Sequence, residues 1–248
     1  MPKLEPYDRS LPYSYALGVF PALKLLSARP DVVTRLLLSP AGGRNEGVAR
    51  LREMCAALGI REEEAERVLR RESRKENCFA ALVFDKYQPE LSADRPHAVL
   101  CQVSDAGNLG SALRSCLAFG VRDVAVIRPA ADLFEPHTLR ASMGAFFGLR
   151  ARAFDSFGEY RAAHPDHALY PFMLDGGVPL EQAAADRPEK YGLVFGNEQS
   201  GLPPEFAALG RSVFIPQSDE VDSLNLAAAV AIGVYTFAHG EPNAGGGR

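Results

Sequence analysis

Apolar and polar positions alternate along this chain in two different rhythms. Up to Leu91 the pattern is irregular. Ala16, Val19, Phe20, Leu23 and Leu26 recur at helical spacing and predict a helix over Ala16–Leu26. The β-branched and Leu-rich run Val32–Leu38, closed by Ser39-Pro40, predicts a strand, and Ala41-Gly42-Gly43 predicts a turn. Val48–Leu58 reads as a helix ended by Gly59, Glu62–Arg71 as a charged helix, and Cys78–Phe84 as a second strand. Together they predict a small αβ domain over residues 1–91. Tyr87–Pro96 holds two prolines and no period, and reads as a linker.

Beyond the linker the rhythm is regular. Short apolar runs at Ala98–Val103, Asp123–Ile127, Leu149–Phe154, Ala168–Phe172, Gly192–Phe195 and Ser212–Ile215 predict strands. Helical patterns fall between and after them, at Leu109–Phe119, Pro136–Ser142, Ser156–Ala163, Glu181–Ala184, Pro204–Ala208 and Leu224–Ala238. This alternation predicts an α/β domain over residues 92–240, with a mostly parallel sheet covered on both faces. The Gly-rich stretch 241–248 reads as a disordered tail.

Composition sharpens the picture. Of 248 residues, 47% are hydrophobic and 23% charged, enough apolar material to exclude a disordered chain. No apolar run approaches the roughly 18 residues of a membrane span, so no membrane partner is expected. Met1–Ser10 is polar and unlike a signal peptide. The net charge of −4 argues against coating nucleic acid by bulk charge, but the charge is unevenly placed. Residues 1–92 carry 15 Lys+Arg against 13 Asp+Glu, whereas residues 93–248 carry 12 against 18. The first part also holds a basic cluster, Arg67, Arg70, Arg71, Arg74 and Lys75, which by itself reads as a solvated helix face balanced by Glu62–Glu66.

Cys55, Cys78, Cys101 and Cys116 lie in apolar runs without C-x-x-C spacing. They read as small hydrophobes in a reducing, cytoplasmic setting, with no metal expected. His97, His137, His164, His167 and His239 are scattered and read as structural or surface residues.

Three segments carry candidate chemistry. Ser104–Arg114 follows a strand and opens a helix. Gly107 and Gly110 permit a close backbone approach there, with Asn108 expected at the N-cap and Arg114 six residues on. Phe195–Pro203 follows another strand and brings a carboxylate, Glu198, to the end of a parallel sheet, where ligand sites form. Leu202-Pro203 stand where a phosphate-gripping Lys-Ser/Thr would be, which removes an NTPase reading. Ile215–Asn225 leads into a nearly all-apolar helix that Asp222 or Ser223 can cap. Asn225 inside its first turn is a poor helix former unless its side chain has a role.

In this order the three segments resemble the motifs of the SpoU (TrmH-type) branch of the SPOUT superfamily, RNA ribose 2′-O-methyltransferases. Asn108, Gly110 and Arg114 match the first motif, Gly196 to Leu202 the second, and Ile215-Pro216 with Ser223 to Asn225 the third. Arg140–Ala145 is similar to a further segment common in the family. The resemblance covers roughly residues 98–238. It implies a parallel sheet with a C-terminal trefoil knot, S-adenosyl-L-methionine as cofactor, RNA as substrate (rRNA favoured over tRNA) and a homodimer through the C-terminal domain.

It also implies roles. Asn108, Arg114, Glu198, Ser223 and Asn225 become the catalytic candidates. Phe195, Gly196, Asn197, Gly201, Ile215, Pro216, Leu224 and Asn225 become the cofactor-binding candidates. Gln199, Asp219 and Glu220 depart from the usual family pattern. The first domain is more distantly similar to the substrate-binding domain of SpoU relatives, which turns Arg67, Arg70, Arg71, Arg74 and Lys75, with Arg140, into candidate RNA contacts. The alternative is a non-catalytic RNA-binding protein on the same scaffold with an altered cofactor loop. The presence of all five catalytic candidates favours an enzyme.

Overall fold

A computed structural model describes residues 4–75, 77–175 and 177–240; the expected tail 241–248 lies outside them. The chain forms two compact units, Met1–Tyr87 with Asp132–Gly148, and Gln88–Ala131 with Leu149–Arg248.

The first unit is built from β1 (Tyr13–Leu17), α1 (Val19–Ala28), β2 (Val33–Leu38), α2 (Glu46–Ala57), β3 (Arg61–Glu64), α3 (Glu66–Ser73) and β4 (Ala80–Asp85). Its sheet has the order β1-β4-β2-β3, with β4 antiparallel to both neighbours and β3 parallel to β2. Tyr15, Leu17, Leu37, Leu69, Ala81 and Val83 pack together in its core.

Two predicted helices are corrected here. Ala16–Leu26 is divided by Gly18, whose φ of 93° ends β1 and lets α1 start in a new direction. The charged run starting at Glu62 is first a strand, with Leu36 opposite Glu62 and Leu38 opposite Glu64, and only then a helix. An edge strand leaves charged side chains in water, so tertiary pairing overrides their helical propensity.

The second unit begins with β5 (His97–Cys101), α4 (Ala106–Ala118) and β6 (Asp123–Ile127). The chain then returns to the first unit with α5 (Pro136–Ala141) and a 3₁₀ turn at Ala145–Gly148. The expected boundary at 91/92, with one uninterrupted domain after it, is therefore replaced by a crossing after Tyr87 and a return over Asp132–Gly148. The reason is aromatic packing. Phe134 and Phe147 contact the ring of Phe84, Phe146 contacts Tyr87, and Ser14 Oγ donates to the Phe134 carbonyl at 2.5 Å.

The remainder is β7 (Arg150–Phe154), α6 (Phe157–Ala163), β8 (Ala168–Pro171), β9 (Val178–Pro179), α7 (Leu180–Ala185), β10 (Tyr191–Phe195), β11 (Val213–Phe214) and α8 (Leu226–His239). The main sheet has the order β7-β6-β5-β10-β8 and is parallel throughout. Every residue of β5, β6 and β10 is buried, which is why these strands read as unbroken apolar runs. The expected strand Ser212–Ile215 shortens to β11. It pairs with β9 in a separate two-stranded sheet rather than extending the main one. Pro204–Ala208 is a 3₁₀ turn rather than an α-helix.

Three of the five histidines are not scattered in space. The rings of His97 and His167 stack at 4.1 Å, and that of His164 meets His97 edge-on at 4.6 Å. Among the described residues no helix is long and apolar enough to cross a membrane.

Candidate functional site

The parallel strands β5 and β10 are neighbours, so the loops leaving their C-terminal ends converge. The loop after β10 folds back on itself, because the backbone groups of Asn197 and Gly201 exchange two hydrogen bonds at 3.2 and 3.0 Å. Two glycines permit this. A Cβ on Gly196 would lie 2.2 Å from the Gly201 carbonyl carbon, and Gly201 has φ +66°. Asn197 Oδ1 accepts from the amides of Gln199 and Ser200, and its Nδ2 donates to the carbonyl of Gln102. Gln102 itself holds a positive φ of 56° just after β5.

This turn aims Glu198 at the start of α4. Its carboxylate accepts from the backbone amides of Ser104 and Asp105, both at 3.1 Å, and from Ser104 Oγ at 3.0 Å. It also accepts from Asn108 Nδ2 at 3.2 Å and from Asn197 Nδ2 at 3.1 Å. Burial raises the pKa of this half-buried carboxyl, but the donors from Ser104, Asp105 and Asn108 outweigh burial and hold it below the ordinary value. The anion also sits at the positive end of the α4 dipole.

Asn108 is not the N-cap that its position suggested. Asp105 caps α4, accepting the Asn108 amide at 2.7 Å. The Asn108 side chain is thereby free to link two partners, donating to Glu198 and accepting from Asn225 Nδ2 at 3.0 Å. Asn225 in turn is the N-cap of α8, in place of Asp222 or Ser223, with Oδ1 accepting the Ala227 amide at 2.9 Å. An Asn accepting from the second amide of a helix is a favourable cap, which resolves its odd placement in the sequence.

Beside this network lies a cavity of about 740 Å³. Phe195, Gly196, Asn197, Gly201, Ile215, Pro216 and Leu224 all line it, as do Glu198 and Ser223. Asn225 is not among its lining residues; it reaches the site through Asn108. Of the departures from the family pattern, Gln199 and Asp219 face the cavity and Glu220 does not.

Sequence reasoning missed Ser104 and Asp105, whose donors meet Glu198. It also missed Phe172 and Val213, which form part of the wall. A hydroxyl at the end of a strand, just before a helix, was the available signal for Ser104.

Arg114 stands apart. It lies about 120° around α4 from Asn108, is exposed, and has no hydrogen-bonding or ionic partner among the described residues. Asn108, its partner in the first motif, makes no hydrogen bond to it. Asn108 spends both of its polar atoms on Glu198 and Asn225.

In the first unit, Arg67, Arg70, Arg71, Arg74 and Lys75 are all exposed. Arg70 pairs with Glu66 at 2.9 Å and Arg71 with Glu72 at 2.6 Å. Arg140 donates to the Ser73 carbonyl at 2.9 Å, closing the C-terminal end of α3 beside Arg74.

The chain is similar to known proteins in sequence and in fold. The chain is 29% identical over 153 residues to the 23S rRNA (guanosine(2553)-2′-O)-methyltransferase RlmP of Bacillus subtilis, covering 60% of each chain. It is 25% identical over 246 residues to the 23S rRNA (guanosine-2′-O-)-methyltransferase RlmB of Acinetobacter baylyi, covering 89% of this chain and 95% of that one. Against the first curated relatives, the matched stretch spans 60% or less of their length. The fold superposes with a TM-score of 0.79 on the SpoU methyltransferase AviRb of Streptomyces viridochromogenes, solved with AdoMet. That match has 23% identity and covers 92% of this chain and 89% of AviRb. The sequence profile of the SpoU rRNA Methylase family matches residues 95–235, a span that holds the whole Glu198–Asn108–Asn225 network, and the chain belongs to that family.

Proposed function

We propose that the chain transfers a methyl group from S-adenosyl-L-methionine to a ribose 2′-hydroxyl of ribosomal RNA. The observation that carries this reading is the Glu198–Asn108–Asn225 network, which fixes the walls of a preformed cavity at the C-terminal end of a parallel sheet. The residues present fit the cofactor. A volume of about 740 Å³ lies in the range of small-molecule sites. Phe195, Ile215 and Leu224 offer apolar surface to an adenosine, and Asp219 and Asp222 face a ligand that carries a sulfonium. When bound, that group supplies an electrophilic methyl.

The chain's own residues then position the reaction. Glu198, held as an anion, organises the backbone at the start of α4. Asn108 and Asn225 keep α4 and α8 in register at the cavity. Among the described residues no His or Cys lines the cavity. The attacking hydroxyl must lose its proton, and an exposed guanidinium such as Arg114 is suited to grip the substrate phosphate beside it while the proton leaves to phosphate or solvent. Ser223, exposed and lining the cavity, offers a hydroxyl to the ribose.

The first unit reads as the RNA-holding part, with Arg67, Arg74 and Lys75 having no ionic partner among the described residues, and Arg140 at the same end of α3. A homodimer through the second unit is supported by α8, on which Ile232 and Tyr235 stay exposed although the helix is apolar nearly throughout. Membership of the family supports a trefoil threading of the C-terminal segment, and the bacterial rRNA methyltransferases among the relatives support a cytoplasmic location. Transfer of labelled methyl to rRNA, with loss on substitution of Arg114, tests the proposal.

A further inference from the structure

The second unit holds a histidine cluster that the proposed reaction does not use. His97 opens β5, His164 follows the end of α6, and His167 precedes β8, so all three lie at the N-terminal edge of the parallel sheet. The cavity and Glu198 lie beyond the C-terminal edge. All three histidines are buried, and one ring nitrogen from each lies within 4.8 Å of the other two.

The tautomers follow from the hydrogen bonds. His97 Nε2 lies 2.7 Å from the Ser92 carbonyl, and His167 Nε2 lies 2.9 Å from the Arg95 carbonyl. A carbonyl only accepts, so each Nε2 carries the hydrogen and each Nδ1 keeps its lone pair. The Nδ1 atoms of His164 and His167 are buried with no hydrogen-bond partner among the described residues. Two imidazoles whose tautomers are fixed by backbone carbonyls, beside a third whose buried Nδ1 has no partner among the described residues, are what a three-histidine cation site requires. Buried polar atoms left unpaired are otherwise rare.

We propose that His97, His164 and His167 bind one divalent transition-metal cation of the zinc class through their Nδ1 atoms, as a structural site that pins the turn between α6 and β8 to the start of β5. The Tyr160 hydroxyl, 3.1 Å from His97 Nδ1, is placed to supply the fourth donor, an oxygen. Tetrahedral nitrogen ligands at about 2.0 Å from zinc stand about 3.3 Å apart. The cluster therefore closes on binding, and the stacked rings of His97 and His167, 28° apart in plane, turn so that both lone pairs meet at one point.

The test uses the full chain, stripped with a chelator and titrated with Zn²⁺ by calorimetry, then loaded with Co²⁺. The expected results are one ion per chain, visible absorption of tetrahedral Co²⁺, and a rise in melting temperature with Zn²⁺ that is absent in His164→Gln. Long-range ¹H–¹⁵N spectra of the wild-type imidazoles read the site directly and do not depend on the variant folding. Metal-induced shifts at Nδ1 of three histidines support the proposal. Absence of stoichiometric binding, shifts confined to other residues, or binding undiminished in a folded His164→Gln chain overturns it.

Discussion

Asn225 donates its Nδ2 hydrogen to Asn108 Oδ1 at 3.0 Å, joining the cap of α8 to the first turn of α4 across 117 residues of sequence. Each end of this bond does a second task. Asn225 caps its own helix, and Asn108 passes the contact on to Glu198. The site is therefore coupled to the packing of two helices, and substitutions in it are expected to act on stability and on ligand binding together.

Replacing Asn225 with Ala removes both the cap and the link. The expected loss is about 1 kcal/mol for the cap alone. A cycle of Asn108→Ala, Asn225→Ala and the double variant, read by denaturant unfolding, is expected to be non-additive by about 0.5 kcal/mol or more. Strict additivity would mean that the two asparagines act independently.

Glu198→Gln places an amide among five donors. The expected cost is about 2 kcal/mol, since charge-assisted bonds are lost and one donor faces others. Cofactor affinity is expected to fall with it, measured by calorimetry.

The acid side of the stability profile carries a related signature. The Glu198 carboxyl titrates below its unfolded value of about 4.3. Its contribution is therefore complete above that value and is lost as the pH falls through the lower, folded-state pKa. The difference in melting temperature between wild type and Glu198→Gln should be constant near neutrality and shrink below about pH 4. A difference that grows on acidification would contradict the assignment.

Gly196→Ala puts a Cβ 2.2 Å from the Gly201 carbonyl carbon, where only backbone could give way. Destabilisation at the top of the usual range of roughly 0.5–3 kcal/mol is expected, with cofactor binding abolished. At Gly201 nothing lies within 4 Å of a built Cβ, so Gly201→Asn, a residue that tolerates positive φ, should cost distinctly less. Thermal melts of the two variants, measured side by side, check the contrast.

How far the sequence foretold these features depended on how local their causes are. The second unit's strands were legible because a parallel strand buried on both faces is an uninterrupted apolar run, as in Val124–Ile127 and Leu193–Phe195. Ala16–Leu26 misled because a buried strand and a helix share the same apolar run, and only the positive φ of Gly18 separates them. The Glu62–Glu64 strand was hidden because its pairing with β2 is set by tertiary contacts. The site residues were legible as a set of motifs, yet their links were not. Asn108 looks like a cap and is a bridge, while Asp105 holds the cap. The histidine cluster could not be read at all, since His97 lies 67 residues from His164 and only the order of β5, β10 and β8 brings them together.

Methyl transfer to rRNA is proposed to need Arg114 as the residue that meets the substrate. The most direct test incubates the full chain and Arg114→Ala with labelled S-adenosyl-L-methionine and an rRNA pool. Cofactor affinity is measured in parallel. Arg114 is exposed and unpaired among the described residues, so the variant should fold normally, bind the cofactor within a few-fold of wild type and lose transfer to a ribose 2′-hydroxyl. No incorporation by the wild-type chain, or transfer retained by the folded variant, would contradict the account.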